Sequence, residues 1–362
     1  MDYAKILEFY KGKRVFLTGH TGFKGAWLSL ILQKAGAPVT GYSLEPPTDP
    51  SLFELANVAA GEGMTSVIGD VRDFDHMKKA FEASKPEIVI HMAAQPLVIE
   101  SYRSPAYTYE TNVMGTVNLL ECVRTSSGVR SVLNVTTDKV YSNDESGRPF
   151  VEDMPLDGYD PYSNSKSCSE LVSATYRRSF LQEAGVALST ARAGNVIGGG
   201  DMADNRIIPD CVRAALAGED IIIRNPHAVR PFQHVLEPVF AYLMIAAAQY
   251  NDPSLAGSYN VGPDEKDCVN AGRMADIFCE KWGEGMKWIN KSTGGFHEAG
   301  FLRLECTHLK ETFGWDCVWD IGKAVEKTVQ WSKAVRDKED ARRVCLKQID
   351  EFIADGKLTG TH

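Results

Sequence analysis

An α/β fold built on a doubly wound parallel sheet is predicted by three observations. Between Arg14 and about Ala191, short β-rich runs alternate with helical patterns, as in a parallel sheet covered by helices on both faces. The first run, Arg14-Val15-Phe16-Leu17-Thr18, leads directly into Gly19, Gly22 and Gly25. Beyond Asn195 the alternation weakens into helices, Gly/Pro-containing turns and isolated strands such as Ile221-Ile222-Ile223.

The glycine spacing predicts a buried strand that turns into a helix beginning near Gly25. Glycines there let the backbone approach a pyrophosphate, and the unpaired N–H groups and helix dipole hold its charge. A lone glycine triplet also fits an ordinary tight turn, since the chain has 31 glycines. A phosphate-binding NTPase loop fits less well: Lys24 is followed by Gly25 rather than by a Ser or Thr hydroxyl for Mg²⁺. The expected division is a Rossmann-type domain over residues 1–194 and a smaller mixed α/β substrate-binding lobe over 195–362. Ser258-Tyr259-Asn260-Val261-Gly262 reads as a strand that returns to the main sheet, so the boundary is interleaved.

Further strands are expected at Val39–Tyr42, Ser66–Ile68, Ile88–His91, Val132–Val135 and Ala187–Thr190. Such sheets bind ligands at the carboxyl ends of their strands. Asp70 follows the third strand, Ala93-Ala94-Gln95 the fourth and Thr136-Thr137-Asp138-Lys139 the fifth, so one cleft can collect them. After the second strand, Ser43 stands where an acid for the adenosine ribose is often found, with Glu45 later.

Tyr162 and Lys166 lie four apart in a proline-free run from Tyr162 to Leu181, and on a helix they share a face. An ammonium beside a phenol lowers a pKa that starts at about 10, letting the Tyr remove a proton from a hydroxyl. The same Lys can hold a nicotinamide ribose. A Tyr/Lys pair alone is often a surface accident; behind a dinucleotide loop it implies a nicotinamide enzyme.

With 362 residues and 44% hydrophobic content the chain can bury a large core. A net charge of −9 argues against nucleic acid and requires local positive charge for an anionic ligand, with Arg206, Arg224 and Arg230 as candidates. The start, Met1-Asp2-Tyr3-Ala4-Lys5, has early charges and no long apolar region, so a cytoplasmic location is expected. The apolar stretch from Val239 to Ala248 is about half the roughly 20 residues of a membrane span. Eight scattered cysteines, without Cys-x-x-Cys or His-Glu-x-x-His, predict neither a metal site nor a disulfide framework. Cys168 is read as a packed thiol, and His20 and His91 as structural. The segment from about Arg336 reads as a solvated C-terminal helix.

Over almost its whole length the chain resembles the extended short-chain dehydrogenase/reductase family. Four stretches carry a closer resemblance to its CDP-glucose 4,6-dehydratase branch: Thr18-Gly19-His20-Thr21-Gly22-Phe23-Lys24-Gly25, His91-Met92-Ala93-Ala94-Gln95-Pro96-Leu97-Val98, Tyr159-Asp160-Pro161-Tyr162-Ser163-Asn164-Ser165-Lys166 and Arg230-Pro231-Phe232-Gln233-His234-Val235-Leu236-Glu237-Pro238. The resemblance implies NAD as cofactor and conversion of CDP-glucose to CDP-4-keto-6-deoxyglucose and water. It makes Tyr162 the acceptor of the 4-hydroxyl proton, places Thr137 on that hydroxyl and puts Lys166 on the ribose. It assigns Asp138 and Lys139 to the acid and base of water elimination. The related dTDP-glucose enzymes carry Asp-Glu where this chain has Asp138-Lys139, so Lys139 reads either as that base or as an ion-pair partner of Asp138.

The resemblance further implies cofactor contacts from Gly19, Thr21, Gly22, Phe23, Lys24 and Gly25 in the loop. Asp70 and Val71 would lie by the adenine, and Ala93, Ala94, Gln95 and Thr111 along the strand ends. Asn195, Arg206, Arg230 and His234 would hold the nucleotide diphosphate and sugar. Helices around Ala106–Thr125 and Tyr162–Leu181 would form a four-helix bundle between protomers, giving a homodimer or a dimer of dimers. The competing readings are a nucleotide-sugar 4-epimerase, which needs no charged pair for elimination, and a non-catalytic NAD-binding scaffold, which would usually lose Tyr162 or Lys166.

Overall fold

The computed structural model describes residues 2–291 and 302–359. Seven parallel strands form the central sheet: β1 (Val15–Thr18), β2 (Val39–Ser43), β3 (Met64–Ile68), β4 (Ile88–His91), β5 (Ser131–Val135), β6 (Ala187–Ala193) and β7 (Ser258–Val261). Their order across the sheet is β7-β6-β5-β4-β1-β2-β3, and every pairing is parallel. Every residue of β1, β4, β5 and β6 is buried; β1 and β4 accordingly read as near-continuous apolar runs, while Ser189, Thr190 and Arg192 of β6 are buried with hydrogen-bond partners. The order reverses direction between β1 and β4, so the crevice for a ligand opens at the carboxyl ends of those two strands.

β7 pairs with β6 over Ser258–Val261 and Thr190–Ala193, so the chain does return to the main sheet late. Three two-stranded pairings lie outside that sheet: Val196–Ile197 with Gln233–His234, Val229–Pro231 with Cys268–Asn270, and Ile221–Ile223 with Trp288–Asn290. A separate apolar cluster around Ile208, Cys211, Phe232, Phe278 and Trp282 underlies this part of the molecule.

The helix Phe23–Lys34 is buried continuously from Gly25 to Leu32, because it is covered on its far side as well. The C-terminal helix Ala341–Thr359 supplies much of that cover. Cys345, Ile349 and Phe352 are buried in the main core, Arg342 donates to Gln33 at 2.7 Å, and Phe352 packs on Tyr3 and Phe240. The expectation of a merely solvated helix is therefore corrected: its mixed charged and apolar pattern is amphipathic, and the apolar face has a partner.

The helix Leu236–Asn251 is buried at nearly every position and packs beneath the sheet, with Ser131 donating to its Ala246 carbonyl at 2.8 Å. No helix among the described residues is long and apolar enough to cross a membrane. All eight cysteines are free thiols, and no group of residues suited to a metal ion occurs among the described residues.

Candidate active site

The loop after β1 is shaped by close backbone approach. Gly19 has φ +81°, and a Cβ there would sit 2.8 Å from the Ala93 backbone nitrogen. A Cβ on Gly25 would lie 2.0 Å from the Gly19 carbonyl oxygen, so the helix can start this tightly against the loop only without a side chain. The helix begins at Phe23, two residues earlier than expected, with Gly22 at the N-cap and no side chain capping it. Its first-turn N–H groups therefore face the crevice without an intrahelical partner, a ready site for a pyrophosphate.

Around this loop the polar side chains are mostly committed to framework. Thr21 donates to the Leu44 carbonyl at 2.8 Å and sits 2.9 Å from the Ser43 hydroxyl, tying the loop to β2. Thr18 accepts the Met92 and Ala93 N–H groups and meets His91 at 2.7 Å, joining the ends of β1 and β4. Gln95 is buried and fully engaged with Asn112, Thr108 and Leu97, so its side chain anchors the loop rather than the crevice. Burial drives His91 down to about 3 and His20 to about 4, and both are neutral structural rings, as expected.

Asp70 is held by Arg72, whose guanidinium donates at 2.6 and 2.9 Å; this ion pair keeps its pKa low against the opposing cost of burial. Val71 is buried beside Gly115. Ala93 and Ala94 are partly exposed at the end of β4. Thr111 lies in a π-helical turn, Glu110–Met114, and its buried hydroxyl has no hydrogen-bond partner among the described residues. Such turns recur at functional sites.

The second group of residues forms at the end of β5. Thr137 caps a short 3₁₀ turn, Asp138–Val140. Thr137 donates to Asp138 Oδ1 at 3.0 Å, and Lys139 Nζ donates to the same oxygen at 2.9 Å and to Asn195 at 3.4 Å. Asp138 Oδ2 is buried without a hydrogen-bond partner among the described residues.

Tyr162, in the first turn of the helix Pro161–Tyr176, lies close enough to Thr137, Asp138 and Lys139 for each to act on its pKa. Burial raises its pKa, and Lys139 is the strongest charge pulling it back down, followed by the Thr137 contact and, after the opposing effect of Asp138, by Arg206. The sequence suggested Lys166 for that role. Lys166 instead donates to the Val135 carbonyl at 3.1 Å, and its own pKa falls to about 8 through burial and the neighbouring Lys24.

Lys24 is the residue whose surroundings the sequence did not disclose. In the first turn of the helix Phe23–Lys34, it is near enough to feel Arg206, Asp138, Lys139 and Asp201, and burial with the nearby cations lowers it to about 8. Arg206 is paired with the buried Asp201 at 3.0 Å. Lys24, Lys139 and Arg206 thus place three cations against Asp138 and Asp201, giving the local positive excess that a chain of net charge −9 must arrange for an anionic ligand.

Arg230 is buried, donating to the Val229 carbonyl at 2.9 Å; its neighbour Pro231 lies against Gly194, beside Asp138 Oδ2. Arg224 is exposed and reaches Asn205 at 3.4 Å. His234 does not join the group. It is fully buried, packed edge-on against Trp27 and Trp319, and burial lowers it to about 3.

A family model described as "NAD dependent epimerase/dehydratase family" matches residues 15–262. A CDP-glucose 4,6-dehydratase of Salmonella typhimurium is 44% identical over 353 residues, covering 96% of this chain and 98% of that one. A UDP-glucose 4-epimerase of Oryza sativa is 27% identical over 273 residues, 69% of this chain and 72% of that one. Among solved structures, a dTDP-glucose 4,6-dehydratase of Bacillus anthracis in complex with NAD aligns with TM-score 0.75 at 19% identity over 90% of this chain and 98% of that one. An epimerase of Methanothermobacter thermautotrophicus aligns with TM-score 0.81 at 21% identity over 94% and 97%. With the matched model covering both the glycine loop and the Tyr162/Lys166 helix, the chain belongs to the NAD-dependent epimerase/dehydratase family.

Proposed function

We propose that the chain is an NAD⁺-dependent dehydratase that converts CDP-D-glucose into CDP-4-keto-6-deoxy-D-glucose and water. The observation that carries this reading is the Asp138–Lys139 pair, bonded to Thr137 and near enough to Tyr162 to act on it: an epimerase needs the tyrosine alone, whereas elimination needs a proton donor and a proton acceptor next to it. The 44% identity with an enzyme named for this reaction supports it.

The residues present fit the dinucleotide. The close Gly19–Ala93 approach, the uncapped helix at Phe23 and the unpartnered Thr111 hydroxyl suit its pyrophosphate and ribose. When bound, NAD⁺ supplies the hydride acceptor for oxidation at C4 and returns the hydride at C6. Tyr162 takes the 4-hydroxyl proton, aided by the Lys139 charge, while Thr137 holds that hydroxyl. Lys166 holds ribose hydroxyls.

Once C4 is a ketone, the C5 proton is acidic. One member of the Asp138–Lys139 pair removes it as the other protonates the departing 6-hydroxyl, and a proton shift along their 2.9 Å contact resets the pair. Asp138 Oδ2 is the acceptor atom left unengaged for this work. Arg206, Arg230 and Asn195 take the diphosphate and sugar, forked guanidinium donors suiting phosphate oxygens, and His234 supports the wall from behind. The segment from 195 onward supplies this substrate side.

Tyr109, Met114, Leu171 and Phe180 are exposed on or beside the two helices of the expected four-helix bundle, which supports a homodimer or a dimer of dimers. Eight free thiols suit a reducing cytoplasm.

The test is proton NMR of the protein with NAD⁺ and, separately, CDP-, dTDP-, GDP- and UDP-glucose. A new C6 methyl doublet from CDP-glucose alone supports the proposal. Conversion of UDP-glucose to UDP-galactose with CDP-glucose unchanged overturns it in favour of a 4-epimerase.

A further inference from the structure

The helix Pro161–Tyr176 carries a further charged residue that the reaction above does not use. Glu170 lies one turn beyond Lys166 on the same helix face and is only 2% exposed. Its carboxylate accepts from Thr136 at 2.5 Å, Thr190 at 2.7 Å and the Arg192 guanidinium at 2.9 Å. Thr136 immediately precedes Thr137, and Thr190 and Arg192 belong to β6. Arg192 in turn donates to the Tyr141 hydroxyl and the Glu152 carbonyl, both at 2.9 Å, and Tyr141 donates to Asn260 of β7 at 2.6 Å. The turn bearing Asp138 and Lys139 is therefore fastened on one side through Thr136 and on the other through Tyr141, both to the same buried ion pair. Such a pair adds little to stability over an apolar replacement of equal volume; what its fixed fork of hydrogen bonds supplies is geometry.

We propose that Glu170 is a positioning residue for the reaction: it sets the helix of Tyr162 and Lys166 against the Thr137–Lys139 turn. This rests on the reading of Tyr162 and Lys166 given above. Lys166 is faced by Lys24 from the glycine loop, His91 from β4 and Glu170 from its own helix, while the Val135 carbonyl takes its hydrogen bond. Lys24 and burial draw its pKa down and Glu170 opposes them, so a neutral residue at 170 makes Lys166 lose its proton at lower pH.

The test compares wild type, E170Q and E170D by the pH profile of kcat/KM on CDP-glucose, and by the pH dependence of NAD⁺ affinity followed by fluorescence quenching. E170Q is expected to move the alkaline limb of both profiles down by about one pH unit, the effect of losing one neighbouring charge. Misalignment is expected to lower kcat about 10- to 100-fold, with KM little changed. E170D keeps the charge, withdrawn by one methylene, and is expected to show a smaller shift in the same direction with part of the rate restored; it serves as the test should E170Q not fold. Limbs that superimpose on wild type, with only thermal stability lowered, overturn the inference. If wild type itself leaves CDP-glucose unchanged, the proposed function fails, and the NAD⁺ profiles still decide the role of Glu170.

Discussion

Replacing Lys139 by Met separates a lysine that moves a proton from one that only neutralises Asp138. The Asp138 side chain is fully buried, Lys139 supplies its cation at 2.9 Å, and Lys139 itself keeps 20% exposure. Removing one partner of a fully buried pair costs about 3–5 kcal/mol. Because water can reach the vacated side, the loss here is placed at the low end, about 3 kcal/mol, or about 4 °C in Tm for a chain of this size. D138N/K139M is expected to recover most of that loss, since a neutral amide needs no counter-ion.

Activity gives the discriminating readout. Without Lys139, elimination slows by about 10²- to 10⁴-fold, the range for one general acid or base, while oxidation at C4 by way of Tyr162 and Thr137 continues. Rapid mixing with CDP-glucose should then show reduced nicotinamide building up in the near-ultraviolet while the C6 methyl signal lags. Oxidation should also need higher pH, because Lys139 is the strongest charge lowering the Tyr162 hydroxyl. A K139M protein that loses stability yet forms methyl product at the wild-type rate, with no build-up of reduced nicotinamide, refutes the reasoning and leaves Lys139 as a counter-ion.

Gly25→Ala places a methyl 2.0 Å from the Gly19 oxygen and 2.8 Å from the His20 Cα; calorimetry should show NAD⁺ affinity down by at least about tenfold, the cost of overpacking a rigid contact, and an unchanged Kd would sink the close-approach argument. Tyr162→Phe should lower kcat by about 10²- to 10⁴-fold with NAD⁺ and CDP-glucose binding retained, and a normal kcat would remove it as the proton acceptor. Glu237 is fully buried, and burial raises its pKa from 4.5 to about 8 against the opposing Val318 and Trp319 N–H groups. A raised pKa means its stabilising contribution is complete below about 4.5 and is lost as pH climbs through about 8, a change of about 4 to 5 kcal/mol. Glu237→Gln should therefore flatten the fall of Tm between pH 5 and 9, and a variant that declines as steeply as wild type contradicts that assignment.

Much of the site was legible because its parts are local. Gly19, Gly22 and Gly25 are forced by backbone approach within one strand–turn–helix, and Tyr162 and Lys166 share a face by helix geometry alone. Thr137, Asp138 and Lys139 follow directly from the end of a recognisable strand. The parts that were not legible depend on contacts between distant segments. The charge acting most on Tyr162 is Lys139, 23 residues earlier in the chain, and not the lysine four residues on. Asp201 and Lys24 join the cluster only through the fold, and Glu170 could be seen to share a face with Lys166 but not to meet Thr190 and Arg192.

The parallel α/β architecture, the strand ends that carry the chemistry and the family to which the chain belongs were all readable from the amino-acid order alone. Parallel strands buried on both faces are mostly apolar, as β1 and β4 are, and close backbone approach must be glycine, so each leaves a mark in a short window. Which carboxylates and cations meet, the use of Gln95 and His234 as framework, and the closure of the last helix over Phe23–Lys34 instead of its facing solvent emerge only from the folded chain. Those outcomes turn on burial and on distances between residues far apart in the chain, which local periodicity does not encode.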